Sequence, residues 1–433
     1  MVKKAISIET KTVPFPGASM AQETTTALSP VKVCMHVLGT APTDSRVMHE
    51  ATALIKAEFE VSIVDVEDNR KRAVEENIGG VRVKHIIMPS WYTSRHFQPW
   101  FFIKAVQMFI QSILRLIQTS ADVYHAHDMK ALPACYVAAC IRRKPLIFDA
   151  HELPPEESSI VFWRGLDRVL RYFLAWIAPR CAGVITVSLP IAQEILKRYN
   201  PREVTLIRNM PPYRSTVNSD RLRQYLGLGP DVRIALYQGG IQGNRGLDRL
   251  VYAAPFLMSN IVIVLMGTAV GTTQADLEAL IAREGVTESV KILPPVPYDE
   301  LLEWTASADI GLNILPTDYS LSIKWCLPNK LFEYLMAGLP VLTSELEAVV
   351  DVIKTYDVGQ VLPSLAPKDI GEAINRMLAD TAGLARQHIN ALDAARNEFF
   401  WEKESLRLIH LYQSILQSGV RRISSDKHST SSN

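Results

Sequence analysis

Apolar and polar positions along the chain divide it into two successive stretches of the same kind. Val31 to Leu38 is a β-rich run that ends at Gly39-Thr40, and Ser45 to Glu58 follows with Val47, Leu54 and Ile55 at helical spacing. Val61 to Val66 and Val81 to Met88 read as the next strands. Phe101 to Ile117 carries Ile103, Val106, Ile110, Ile113 and Ile117 in helical register. Asp122 to Asp128 and Leu146 to Glu152 begin as short strands and end in polar residues. Trp163 to Ile177 is an amphipathic helix with Arg164, Arg168 and Arg171 off its apolar stripe and Asp167 among them. Gly183 to Ser188 and Val204 to Asn209 are further strands, separated by a helix from Pro190 to Tyr199.

Pro211-Pro212 interrupts the pattern, which then restarts. Asp231 to Tyr237 is a strand, followed by Gly239-Gly240-Ile-Gln-Gly243-Asn-Arg245-Gly246 and a helix from Leu247. Ile261 to Met266 is a strand ending at Gly267, and Val290 to Leu293 and Ala308 to Leu315 are two more. Pro328 to Leu342 reads as a short helix, a glycine stop at Gly338 and a buried strand. Phe399 to Ile415 is a last amphipathic helix. Strand, glycine turn, helix and strand, repeated on both sides of a break, predict an α/β chain of two doubly wound, Rossmann-like domains. Ligands of such sheets sit at the carboxyl ends of the strands, and two facing sets of strand ends predict a cleft.

Composition changes this picture little. The 433 residues allow two or three domains, and 48% hydrophobic with 21% charged residues marks a globular chain. A formal net charge of +1 argues against bulk electrostatic binding to nucleic acid. The cysteines, Cys34, Cys135, Cys140, Cys181 and Cys326, are scattered and fit a reducing cytosol. No apolar core of a secretory signal follows Lys3-Lys4, and the Trp100 to Ile117 segment is broken by Lys104, Gln107, Gln111 and Arg115. A cytoplasmic protein without a membrane span is expected. The basic face of the 163–177 helix leaves open a peripheral contact with the inner face of the membrane.

The candidate chemistry lies at the predicted strand ends. The start of the helix after Pro328 offers unpaired N–H groups and partial positive charge, Lys330 adds a cation, and Glu333 can accept from two neighbouring sugar hydroxyls. Arg245 supplies charge beside a second helix start, and Gly240 and Gly267 let the backbone approach a ligand. This is no Walker loop, because no G-K-[ST] follows. His125, His127 and Asp128, then Asp149, His151 and Glu152, end two strands. They lack the helical H-E-x-x-H spacing of a zinc site, and two readings stand: a metal site, or a surface that bonds hydroxyls.

The second half resembles the donor half of retaining glycosyltransferases of family 4, with the GT-B fold. The resemblance rests on YQGGIQGNRGLDRLV, LMG, VPYDELLEWTASADIGLNILP and LPNKLFEYLMAGLPVL. The first half is similar in DVYHAHD, DAHELPPE, VITVS and LIRNMPP, so that residues 31–415 are covered. The resemblance implies that Arg245, Asn329 and Lys330 receive the donor diphosphate, Glu333 holds the ribose and His127 contacts the transferring sugar. It places Gly39 near acceptor and phosphate, and Asp128, His151 and Glu152, at strand ends of the first half, are the acceptor-side candidates. Two positions depart from the family pattern. The first Glu of its Glu–seven residues–Glu motif falls at Trp325, and a usual basic residue of the glycine turn falls at Gly240.

The expected layout is a disordered or loosely ordered segment over 1–29, an acceptor-side domain over 30–210 and a connector over 211–230. A nucleotide-sugar-binding domain over 231–395 follows, then a helix over 396–419 that packs back on the first domain, and a disordered tail over 420–433. The expected activity is transfer of a sugar from a nucleotide-diphosphate sugar to an acceptor hydroxyl, with retention and no metal cofactor, in polysaccharide or glycolipid assembly. A nucleotide-sugar epimerase and a non-catalytic nucleotide-sugar-binding scaffold are the alternatives. Acceptor-free turnover marks the first, and nucleotide binding without turnover marks the second. Expected partners are a nucleotide sugar and a free or lipid-linked acceptor glycan, without nucleic acid.

Overall fold

The computed structural model of the protein describes residues 6–7, 29–88, 99–155, 166–215 and 219–429. Most of the 1–29 segment, Trp163 and Arg164 of the basic helix, and the last residues of the tail lie outside these. The chain divides into two compact units. One comprises the residues up to Ile207 together with those from Ser405 on, and the other runs from Arg208 to Glu404.

The first unit is built on β1 (Ile6–Ser7), β2 (Lys32–His36), β3 (Glu60–Glu67), β4 (Glu75–Ile78), β5 (Val81–Ile87), β6 (Val123–His127), β7 (Leu146–Ala150), β8 (Gly183–Thr186) and β9 (Val204–Leu206). Their order in the sheet is β1-β9-β8-β7-β6-β2-β3-β5-β4. The pairs are parallel except β4 with β5. The helices are α1 (Ser45–Lys56), α2 (Pro99–Gln118), α3 (Asp128–Arg142), α4 (Leu166–Ile177) and α5 (Leu189–Tyr199). The carboxylate of Asp44 starts α1 by accepting from Val47 N at 3.2 Å.

The second unit places β10 (Arg233–Gln238), β11 (Ile261–Met266), β12 (Val290–Leu293), β13 (Ile310–Asn313), β14 (Val341–Thr343) and β15 (Gly359–Val361) in a parallel sheet, in the order β12-β11-β10-β13-β14-β15. Its helices are α6 (Arg221–Tyr225), α7 (Leu247–Ala253), α8 (Thr273–Arg283), α9 (Leu301–Thr305), α10 (Leu321–Trp325), α11 (Asn329–Met336), α12 (Glu347–Tyr356), α13 (Pro367–Ala379) and α14 (Thr381–Asn397). A last helix, α15 (Trp401–Ser429), starts in this unit and belongs to the first from Ser405 on. β11 is buried throughout its IVIVLM run, as a central parallel strand covered on both faces must be.

Strand order reverses between β2 and β6 in the first unit and between β10 and β13 in the second. These are the switch points at which doubly wound sheets open a crevice at their carboxyl edge. Pro328 is the N-cap of α11, one position earlier than its ring alone suggests, and Gly338 leaves the helix at φ +74°. Leu331, Phe332, Tyr334, Leu335 and Met336 bury the inner face of α11.

Three features differ from the sequence pattern. β4 is an additional antiparallel strand joined to β5 through Gly79-Gly80, both at positive φ. α3 carries Pro133 in its interior and is buried on several sides, so it shows no amphipathic stripe. α15 runs to Ser429, beyond both Ile415 and the start of the expected disordered tail. No proline interrupts that stretch, and its polar residues continue the helix.

Candidate functional site

In the second unit the expected donor residues converge on the carboxyl end of β10. The Lys330 ammonium, on the first turn of α11, lies 3.6 Å from the centroid of the Tyr237 ring. Tyr237 is the penultimate residue of β10, and Gly239 follows the strand at φ +125°. A Cβ at Gly239 would stand 3.4 Å from the Lys330 ammonium, and one at Gly267 would stand 1.9 Å from the carbonyl oxygen of Gly239. Only glycine at 267 lets the loops after β10 and β11 come this close. The Tyr237 hydroxyl donates to Gly240 O at 3.0 Å, which fixes the start of the turn. Arg245 ends the 3₁₀ turn Gly243–Arg245, and Gly246, at φ +69°, turns the chain into α7.

Electrostatics ties these groups together. Burial and the neighbouring charge of Arg245 lower the Lys330 ammonium to about 7, against the opposing pull of Glu333 and Cys326. Arg245 and Lys330 therefore feel each other as like charges, an arrangement that an incoming dianion would relieve. Glu333 accepts from Gln238 Nε2 at 2.5 Å, and Gln238 Oε1 accepts from Thr305 Oγ1 at 2.6 Å. Burial raises the Glu333 carboxyl, with Gln238 and Lys330 acting in the opposite direction. Glu333 also lines a cavity with Arg214, Tyr298, Leu301, Thr305 and Met336, where the Arg214 guanidinium lies 5.7 Å from the Tyr298 ring centroid. Asn329 is exposed at the first position of α11.

Two further side chains of this unit, Tyr334 and Glu347, escape sequence reasoning. Tyr334 accepts from Gln238 N at 2.9 Å and donates to Leu236 O at 3.0 Å, tying α11 to β10. Gly311 of β13 makes this possible, since a Cβ there would fall 2.5 Å from the Tyr334 ring. Trp325 donates its indole N–H to Glu347 Oε2 at 2.8 Å. A carboxylate is thus present beside Trp325, but it is brought by α12 at the end of β14.

In the first unit His127, Asp128 and His151 meet around Asp149 at the ends of β6 and β7. His151 Nε2 lies 3.0 Å from Asp149 Oδ2 and 3.2 Å from His127 Nδ1, and His151 Nδ1 lies 3.5 Å from Asp128 Oδ2. Asp128 opens α3 at φ +64°, an unusual conformation for a non-glycine residue. Arg46 of α1 holds both Asp149 oxygens at 2.8 Å, donates to Ile207 O at 3.0 Å and lies 3.2 Å from Glu50. Burial works against the charged form of His151, but Asp128 and Asp149 outweigh it and raise the ring to about 10. Burial lowers His127, with Asp149 opposing. Burial and Asp149 push the Glu50 carboxyl up to about 8. Glu152 follows in the bend after β7, and Gly39 sits in a bend after β2, which neighbours β6 at the same edge.

Glu50, His125, His127 and Asp149 each offer a ligand atom within 4.8 Å of the others. The two Glu50 oxygens, His125 Nε2 and His127 Nε2 have no hydrogen-bond partner. This is a donor set of the kind divalent metals accept. The Arg46 guanidinium opposes that use, because it already places a fixed positive charge on Asp149 and beside Glu50. His125 Nδ1 lies 2.8 Å from the Tyr412 hydroxyl, which anchors β6 to α15. His127 is fully buried, as are Arg46 and Glu50 in effect, whose i,i+4 spacing on an otherwise apolar helix face gave no sign of a buried ion pair.

Comparison with known proteins agrees with this architecture. The family description "Glycosyltransferase Family 4" matches residues 44–210, and "Glycosyl transferases group 1" matches residues 232–380. The chain is 27% identical over 321 residues to a D-inositol 3-phosphate glycosyltransferase of Streptomyces bingchenggensis, covering 70% of this chain and 69% of that protein. Among solved structures it is similar to sucrose-phosphate synthase from Thermosynechococcus elongatus, with a TM-score of 0.72, 16% identity and coverage of 90% of this chain and 100% of the other. It is also similar to Anabaena HepE in complex with UDP and glucose, with a TM-score of 0.67, 16% identity and coverage of 89% and 100%. Two parallel-sheet Rossmann-like units, the glycine loop and Lys330-bearing helix of the second, and matches to both halves lead to one conclusion: the chain belongs to glycosyltransferase family 4 and is a transferase of the GT-B fold.

Proposed function

We propose that this glycosyltransferase takes its sugar from a nucleoside-diphosphate donor and passes it to an acceptor hydroxyl with retention and without a metal. The observation that carries the reading is the pairing of Lys330 with Arg245 beside the start of α11, above a loop whose glycines let a diphosphate reach the backbone. In the reaction the bond between sugar C1 and the phosphate oxygen breaks, and its electron pair leaves with the diphosphate. The acceptor oxygen bonds to C1 from the same face, and its proton passes to the departing phosphate oxygen. The two cations and the helix dipole stabilise the charge that develops on the leaving group. Glu333, held by Gln238, accepts from the donor ribose. His127, Asp128, His151 and Glu152 are the candidates for the sugar and acceptor side, with the Arg46–Asp149 pair fixing their positions.

The complex of HepE with UDP and glucose supports a nucleotide-sugar donor, and the inositol-phosphate relative supports a polyol or sugar acceptor. A cytoplasmic enzyme of polysaccharide or glycolipid assembly is the matching context. A thermal-shift screen of UDP, GDP and ADP identifies the donor base. Lys330→Ala and Glu333→Ala should each abolish turnover of the matching nucleotide sugar, while both variants still fold and melt in a cooperative transition. Near-normal turnover by either variant refutes the assignment.

A further inference from the structure

In the first unit α2, α3, α4 and α5 follow successive strands laid down in one direction, from β5 through β6, β7 and β8 to β9. Right-handed crossovers in one direction put such helices on one face of the sheet. Their contacts agree, because α3 packs along α2 and Tyr136 of α3 meets Trp176 of α4 with ring centroids 5.1 Å apart. The outer side of this layer is unusually apolar. On α2, Ile103, Val106, Ile110 and Leu114 form a stripe at steps of three, four and four, each about half exposed, while Met108, Ser112 and Leu116 bury the opposite side. α3 adds exposed Ile141, and α4 adds Val169, Tyr172 and Trp176, with Tyr172 72% exposed. Single exposed apolar residues are ordinary, but a run of them across three adjacent helices is not.

The charge on the same layer is mainly basic: α2 to α5 carry eight Lys or Arg against three acids, Asp128, Asp167 and Glu194. α2 itself holds Lys104 and Arg115, the latter 4.0 Å from Glu75 of β4, and no Asp or Glu. Arg142 and Arg143 are exposed at the end of α3, and Arg168 is exposed on α4. Arg180 lies 4.6 Å from the centroid of the Trp176 ring. The chain as a whole is close to neutral, so the excess of cations belongs to this layer. A second copy of the chain would bring cations against cations here. Phosphate headgroups over an acyl boundary meet both features: they pair with Arg and Lys, and the interface takes up Ile, Tyr and Trp. No helix among the described residues is long and apolar enough to cross a membrane.

We infer that the outer face of α2, with the exposed ends of α3 and α4, docks the protein on an anionic lipid bilayer, α2 lying in the interface plane. This deepens the glycosyl-transfer reading by placing its acceptor at a membrane surface, yet the docking surface stands on observations separate from the donor site.

The test is co-sedimentation of the purified full chain with vesicles of phosphatidylcholine alone and of phosphatidylcholine mixed equally with phosphatidylglycerol. Binding to the mixed vesicles should be about tenfold or more tighter than to the neutral ones and should weaken with salt. A double substitution, Ile103→Glu with Ile110→Glu, should lower binding by about tenfold or more, since it removes two apolar anchors and adds repulsion. Both side chains are exposed, so its melting temperature and its thermal shift with nucleoside diphosphate should match wild type. Arg168→Glu is a second variant with a smaller expected loss. Absence of vesicle binding by wild type, unchanged binding by the double variant, or a dimer in light scattering that the double variant dissolves would each overturn the inference. A loss of the nucleotide shift in wild type would instead count against the donor site.

Discussion

Replacing Lys330 by arginine should remove a pH dependence that the wild-type protein carries. Burial and the charge of Arg245 hold the free ammonium at about 7, down from 10.5, although Glu333 and Cys326 pull the other way. A diphosphate landing on this group requires its charged form, so binding must draw in a proton above neutrality. Each pH unit above the lysine's own value then costs about 1.4 kcal/mol, or tenfold in affinity. From about pH 7 to about pH 9 the dissociation constant of a nucleoside diphosphate should rise roughly fiftyfold. Arginine stays charged over this range, and Lys330→Arg should vary by less than about threefold. Titration calorimetry in buffers of different ionisation enthalpy reads the same event as about half a proton taken up near pH 7 and nearly one near pH 9. The sign for stability is the reverse. The folded lysine value lies below the unfolded one, so the folded protein binds fewer protons between about pH 7 and 10.5, and stability rises with pH across that window. The full burden of the half-buried cation, felt below about pH 7, is on the order of 5 kcal/mol at most, and Lys330→Met should melt higher than wild type there. Affinity that is flat from pH 7 to 9 in wild type, or that falls equally in Lys330→Arg, would refute the reasoning.

Gly267→Ala forces a methyl into the Gly239 carbonyl and should abolish the thermal shift by nucleoside diphosphate, with a loss of stability of roughly 2 kcal/mol or more by chemical denaturation. Arg46→Ala strands the buried Asp149 and Glu50 and should destabilise the first unit by about 3–5 kcal/mol, read as a lower midpoint in urea, while nucleotide binding to any population still folded is unchanged. Tyr334→Phe leaves the N–H of Gln238 and the carbonyl of Leu236 short of a partner and should cost about 1–3 kcal/mol. Glu347→Ala tests whether the carboxylate held by Trp325 stands in for the acidic residue missing at 325. A rise in KM for the donor sugar, with affinity for the nucleoside diphosphate unchanged, is expected, and no change in KM removes Glu347 from that role.

The repeated strand, glycine turn and helix were legible because each unit buries its parallel strands as uninterrupted apolar runs, as in Ile261–Met266. Pro328 and Gly338 bracketed α11 because they act on the local backbone. α3 was hidden by burial on several sides and by Pro133, which reads as a breaker when only sequence is seen. The Gly79-Gly80 turn was a visible hairpin signal, but the four-residue β4 beside it is too short and too polar to read as a strand. Among candidate site residues, Lys330 and Arg245 could be paired because both adjoin helix starts, Arg245 after a glycine turn and Lys330 after Pro328. The Tyr237 ring under Lys330, the Gln238–Thr305 clamp on Glu333 and the Arg46–Asp149 pair join residues tens of positions apart or more, which local pattern does not reveal. Glu347 is the same case: its distance from Trp325 in sequence is 22 residues, and only the packing of α10 on α12 joins them.

The most direct test is release of nucleoside diphosphate from a panel of nucleotide sugars, with a polyol or glycan acceptor present and absent, for wild type and Lys330→Ala. Acceptor-dependent release by wild type and none by the variant is the predicted result. Equal release by both proteins, or no release from any donor with any acceptor, would contradict transfer from a nucleotide sugar held at Lys330.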